Sequence, residues 1–173
     1  MNKIKVSQEQ LKIFFEGCHF VNAALAKKMG VSEGIVSDCF NHKLNRHGKP
    51  LTFSKANIER MNTALKQIAE ELSDSKLTYA DDGEATTKRF INDDPAVIDS
   101  LCKISEYIKL NWLTWKALGW NQKKCLNNIN LSASNPHVHI SRGDIDRINA
   151  ELLSIAATLS SWEVVADDEG SAL

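Results

Sequence analysis

Cys39, His42 and His47 stand close together in the first third of this 173-residue chain. Thiolate and imidazole both ligate metals, but three mixed ligands without a fourth at zinc-finger spacing make a weak case, and no metal site is expected. The other thiols, Cys18, Cys102 and Cys125, are too far apart for a C-x-x-C clamp. All four cysteines therefore read as small buried apolar side chains. His137 and His139, two positions apart in a polar stretch, read as exposed residues. The sequence has no glycine-rich phosphate loop and no convincing nucleophile–base pair, so neither an enzyme nor a cofactor is expected. The clearest chemistry lies in His42-Lys43-Leu44-Asn45-Arg46-His47-Gly48-Lys49-Pro50, where three permanent cations, two histidines and an asparagine share nine residues. Lys43, Arg46 and Lys49 suit neutralisation of phosphates, or Arg46 insertion into a narrow groove. A solvated loop with ordinary surface charges is the plainer alternative.

The elements that position these residues follow from composition and pattern. Hydrophobic residues make up 43% and charged residues 25%, a profile that excludes a disordered chain. Net charge is −1, which argues against a generally cationic binder. No apolar run is long enough for a membrane span, and the start lacks the apolar stretch of a secretory signal, so a cytoplasmic protein is expected. Few prolines and glycines favour helices over a many-stranded sheet. Charge is uneven along the chain: residues 1–72 carry a net +4 and 95–160 a net +2, whereas 73–94 carry −3 and 161–173 carry −4. The acidic stretches read as a linker and a solvated tail.

The two basic blocks read as copies of one another. Val21–Gly30 matches Leu110–Gly119 at an offset of 89, and Ile58-Glu59-Arg60-Met61-Asn62 matches Ile145-Asp146-Arg147-Ile148-Asn149 at an offset of 87. The apolar stripe continues in both, with Leu65 against Leu152, Ile68 against Ile155 and Leu72 against Leu159. Each copy is expected to hold four helices. In the first these are Gln8–Glu16, opened by a Ser7/Gln10 capping box, then Val21–Met29, a third helix capped by Ser32, and a long fourth after Ser54. In the second they start at Asp94-Pro95, at Leu110, at an Asn121 cap and after Ser141. The expected fold is all-α: an N-terminal domain over 1–73, a linker over 74–94, a C-terminal domain over 95–160 and a tail over 161–173.

A link as short as Met29-Gly30-Val31-Ser32 forces two helices to cross steeply. Leu25-Ala26-x-x-Met29-Gly30-Val31-Ser32-x-x-x-Val36-Ser37 resembles the phage-repressor (Cro-like, XRE) helix-turn-helix family over roughly residues 7–72. Ala26 is small enough for close helix approach, Gly30 makes the turn, Val31 fills the gap and Val36 packs back. The second copy departs from the pattern, with Trp115 for Ala26, Cys125 for Val36, and Trp112 and Trp120 for Ala23 and Val31. Volume exchanged across the pair would preserve the fold, with these tryptophans mostly in the core.

The resemblance implies a third helix that enters the major groove of double-stranded DNA. It assigns base-edge contacts to Ser32, Glu33, Gly34, Ser37, Asp38, Asn41 and His42. Lys43, Asn45, Arg46 and Lys49 would follow on phosphates, with Lys27 and Lys28 as backbone contacts. Glu33 and Asp38 would repel phosphates unless aimed at cytosine amino groups. In the second copy the corresponding surface is Gln122, Lys123, Lys124, Asn127, Asn128 and Asn130, followed by a loop without lysine or arginine. The expected function is a DNA-binding transcriptional regulator that reads mainly through the first copy. The alternative is a helical protein–protein interaction module that keeps the fold without binding DNA. The tryptophan-rich second copy would then serve a protein partner or self-association.

Overall fold

The computed structural model describes residues 3–78, 89–92, 95–109 and 138–166. In chain order the elements are β1 (Ile4–Val6), α1 (Gln8–Gly17), α2 (Asn22–Met29), α3 (Glu33–Phe40), α4 (Lys55–Asp74), β2 (Arg89–Asn92), α5 (Pro95–Tyr107), β3 (Val138–Ser141), α6 (Arg142–Ser161) and β4 (Trp162–Val164). The described chain is mostly helical. The expected second and third helices of the second copy, with Cys125 and the tryptophans at 112, 115 and 120, lie outside the described residues.

The chain divides into two compact units, one built from Met1–Glu70 and Ala157–Leu173, the other from Glu71–Ala156. In the first unit, Ser7 opens α1 with both bonds of a capping box: Gln10 N–H donates to Ser7 Oγ at 3.1 Å, and Ser7 N–H donates to Gln10 Oε1 at 2.8 Å. Phe15 stacks on Phe20 at 4.1 Å and meets Phe40 edge-on at 6.0 Å, and Phe40 in turn meets Phe53 at 5.5 Å. This aromatic chain ties α1 to the end of α3 and to the segment before α4. Ile58, Met61, Leu65 and Ile68 of α4 are buried at the spacing of one helical face. The N-terminus of α4 is closed by Ser54, whose Oγ accepts the Asn57 N–H at 3.3 Å.

Two strands lie in the stretches that charge alone assigns to tail and linker. Trp162–Val164, expected in the acidic tail, forms β4 and pairs in parallel with β1, with Ile4 opposite Trp162, Lys5 opposite Glu163 and Val6 opposite Val164. Val164 is buried, and Trp162 lies edge-on to Phe14 at 4.9 Å, so apolar contact outweighs the acidity of the residues beyond it. The Asn62 side chain closes this seat: its Nδ2 donates to Val164 O at 2.9 Å and its Oδ1 accepts from Val164 N at 2.8 Å. Arg89–Asn92, expected in the linker, forms β2, antiparallel to β3. Asp81–Glu84 of that linker and Asp167–Gly170 of that tail lie outside the described residues.

The second unit carries a matching stripe. Ile145, Ile148, Leu152 and Ile155 of α6 are buried, as are Val97, Leu101 and Ile104 of α5. Asn149, buried to 6% exposure, donates through Nδ2 to Leu77 O and accepts from Leu77 N, both at 2.8 Å. Cys18 and Cys39 are buried as expected from their type, but Cys102 is exposed. It follows Leu101 by one residue, which turns it about 100° off the buried face of α5.

Candidate nucleic-acid interface

The candidate surface is built on the α2–α3 pair. Leu25, Ala26, Met29 and Val36 are each under 5% exposed, with the small Ala26 buried to 1%. Gly30 adopts the left-handed conformation at φ 68°, ψ 35°. Val31 N–H then returns to Ala26 O at 3.0 Å and Gly30 N–H to Lys27 O at 3.2 Å, the paired closure of a Schellman motif. Lys27 and Lys28 sit in the last turn of α2, where cations also offset the helix dipole. Lys27 is exposed and Lys28 half-buried.

Ser32 occupies the N-cap position of α3, with extended backbone at φ −73°, ψ 149°, but its hydroxyl makes no cap bond. The expected side-chain cap is replaced by a backbone one. Ile35 N–H, which the hydroxyl would have taken, donates to Ser32 O at 3.1 Å. Ser32, Glu33, Gly34 and Ile35 are all exposed, so the first turn of α3 presents an open surface. Ser37 and Asp38 are half-buried one turn on, and Asn41 is exposed, its Nδ2 donating to Ser37 Oγ at 3.4 Å.

The chain leaves α3 through His42, at φ 48°. Lys43 N–H bonds Asp38 O at 3.0 Å and His42 N–H bonds Cys39 O at 3.1 Å, the same closure that ends α2, with histidine in the glycine position. From Lys43 to Leu51 the chain folds into a tight hairpin. Leu51 N–H donates to Lys43 O at 2.8 Å, Asn45 N–H donates to Lys49 O at 2.8 Å, and Leu44 bridges Pro50 in antiparallel fashion. At the tip, Gly48 N–H donates to Asn45 O at 2.9 Å, and Gly48 is left-handed at φ 72°. Asn45 Oδ1 accepts from the N–H groups of His47 at 2.8 Å and Lys49 at 3.1 Å. Asn45 is therefore the turn-forming side chain, and Arg46 and His47 are the two residues carried at the apex.

The cations of this hairpin differ in availability. Lys43 Nζ pairs with Asp38 at 3.2 Å, so it offsets that carboxylate instead of standing free. Lys43 is well solvated and Asp38 remains partly open to water, and such pairs are worth about 0–1 kcal/mol. His42 faces Glu9 of α1 at 3.5 Å, a partner with no signal in the local sequence. Arg46 Nε donates to His47 Nε2 at 3.1 Å, leaving its outer guanidinium nitrogens for other acceptors. Lys49 is exposed and has no ion-pair partner among the described residues. Cys39 is buried behind the helix. Burial, then the nearby Asp38 charge, raise its pKa and keep it a neutral thiol. His42 and His47 have separate partners, Glu9 and Arg46, and no group of three or more metal-ligating side chains converges among the described residues.

The structure brings Ser32, Glu33, Ser37, Asn41, His42, Lys43, Asn45, Arg46 and Lys49 onto α3 and the hairpin directly after it. Lys123, Lys124 and Asn127 lie outside the described residues. The pattern of residue types does not single out two exposed apolar side chains on this surface: Ile35, at 42% exposure in the first turn of α3, and Leu44, at 63% on the hairpin. In the second unit a cavity of about 470 Å³ is lined by Glu71, Asp74, Ser75, Ser100, Lys103, Glu106 and Tyr107. Its hydroxyls are engaged: Ser75 donates to Glu71 O at 2.7 Å, Ser100 donates to Ala96 O at 2.9 Å, and Tyr107 donates to the Glu71 carboxylate. Lys103 pairs with Asp99 at 2.8 Å. Among the described residues no helix is long and apolar enough to cross a membrane. No protein-family model, curated protein or solved structure matches the chain.

Proposed function

We propose that this chain is a DNA-binding protein that acts as a transcriptional regulator, with α3 in the major groove and the 43–51 hairpin on the phosphate backbone. The observation that carries this reading is the open first turn of α3 on a buried Leu25–Ala26–Met29–Val36 support, followed at once by a self-closed hairpin with Arg46 at its apex. Ser32, Ser37 and Asn41 offer hydrogen-bonding groups for base edges, and Ile35 offers an apolar contact for a thymine methyl group. Arg46 and Lys49 supply the phosphate contacts. Lys43 has the separate task of neutralising Asp38, which would otherwise oppose the DNA. On this reading the tandem arrangement puts a second, diverged helix-turn-helix copy on the same chain and raises its effective concentration at a neighbouring site.

The test is binding of the full chain to randomised duplex DNA, followed by a salt titration on the selected sequence. Selection of a sequence and a log–log salt slope of about −0.9 per phosphate contact are expected. Absence of duplex binding at low salt overturns the proposal.

The exposed Ile35 and Leu44 support a second reading, a helical protein–protein interaction module that uses the same α3 and hairpin surface. Charge reversal at Arg46 and Lys49 separates the two. DNA retention is lost under the first reading, whereas Ile35→Ser and Leu44→Ser are the disruptive changes under the second.

A further inference from the structure

Neither half of the chain completes a unit by itself. The first unit takes residues 3–70 from one half and 157–166 from the other, and the second takes 71–78 from one half and 89–156 from the other, counting described residues only. The seat for the incoming segment is built the same way in both. Asn62 holds the backbone N–H and C=O of Val164, and Asn149 holds the backbone N–H and C=O of Leu77, with all four distances at 2.8–2.9 Å. Asn62 and Asn149 are 87 positions apart, and so are Leu77 and Val164. Holder and held residue are thus displaced by one and the same repeat length. Each asparagine reads backbone alone, and both held side chains are buried, Leu77 at 2% and Val164 at 1% exposure. A side-chain amide that bonds both groups of one residue accepts any chain presenting an extended apolar residue there.

We propose that these two asparagine-closed seats make the halves 3–78 and 89–166 separable partners, and that a second copy of this chain supplies either half in an exchanged dimer. Every bond within the units is remade in such a dimer, because the same residues meet. The exchange alters only which chain delivers them, so its population follows protein concentration. Two copies joined in this way would carry two α3–hairpin surfaces, a consequence that does not depend on what those surfaces bind.

Lys5 and Glu163 provide a direct reporter. They face each other in the β1–β4 register, come from opposite halves, and are both exposed. Full-length chains, one unlabelled and one uniformly labelled with heavy nitrogen, are mixed, unfolded together in urea and refolded over a range of concentrations. A carbodiimide then joins Lys5 to Glu163, and mass spectrometry of the linked peptide reads the isotopes of each side. Linked peptides of mixed isotope composition that increase with refolding concentration, reaching equal frequency with uniform ones in the dimer peak, are expected. Uniform isotope pairs at every concentration overturn the proposal. So does absence of the linked peptide, since the seat then does not hold this strand.

Discussion

Helices α4 and α6 are alike where they face inward and unlike where they begin. Both span 20 residues, both bury an apolar stripe, and both place an asparagine on the backbone of a distant segment. Ahead of α4 stands a hairpin with Arg46 at its apex, whereas α6 continues directly from strand β3. The asparagines also differ in depth, with Asn149 buried and Asn62 half-buried. Packing and backbone satisfaction fix the shared part, because a buried stripe tolerates little change. The entry into each helix carries no such penalty and is free to take on separate chemistry.

Truncating the stripe gives the largest expected effect. Leu65→Ala and Leu152→Ala should each cost about 2–5 kcal/mol in urea unfolding, since both residues are about 1% exposed. A much smaller loss at one of them would break the equivalence of the two helices. The asparagines come next and should separate by depth. Asn149→Ala orphans the buried N–H and C=O of Leu77, at roughly 1–3 kcal/mol for each group left unpaired. Asn62→Ala should cost less, because water reaches a half-buried site. Gly30→Ala, which forces a Cβ into the left-handed region at φ 68°, should cost about 1–2 kcal/mol.

At the hairpin the readout moves from stability to binding. Arg46→Ala and Lys49→Ala should stay within about 0.5 kcal/mol of the parent in unfolding, as exposed substitutions do. On the proposed DNA-binding reading, each should flatten the salt slope of duplex binding by about 0.9. Lys43→Ala should weaken binding too, by uncovering Asp38. The smallest effect is chemical. At any one pH, exposed Cys102 should be alkylated faster than Cys39, which is buried and has its thiol pKa raised by that burial, then by the Asp38 charge.

Local signals in the sequence carry through to the structure where short-range physics decides. The Ser7/Gln10 box, the glycine turn at Gly30, the Ser54 entry and the Ile58 and Ile145 stripes all depend on neighbours within one or two turns. The strands at 89–92 and 162–164 are not legible in the same way, because their partners lie about 50 and 158 residues away and nearby acidity masks a short apolar signal. On the candidate surface, residue types place the cations but not their commitments. Lys43 against Asp38 spans five residues and is within reach of sequence reasoning, while His42 against Glu9 depends on how α1 and α3 pack. The hairpin itself has a local signature in Asn45 and Gly48, a turn former and a left-handed residue three positions apart.

Asn45 has a further consequence. Its side chain accepts the peptide N–H groups of both His47 and Lys49, so the bonds that close the apex come from the fold itself and not from a ligand. On the proposed DNA-binding reading, Arg46 is then delivered from a backbone already tied in its turn, and duplex binding should show little coupled ordering in its heat capacity.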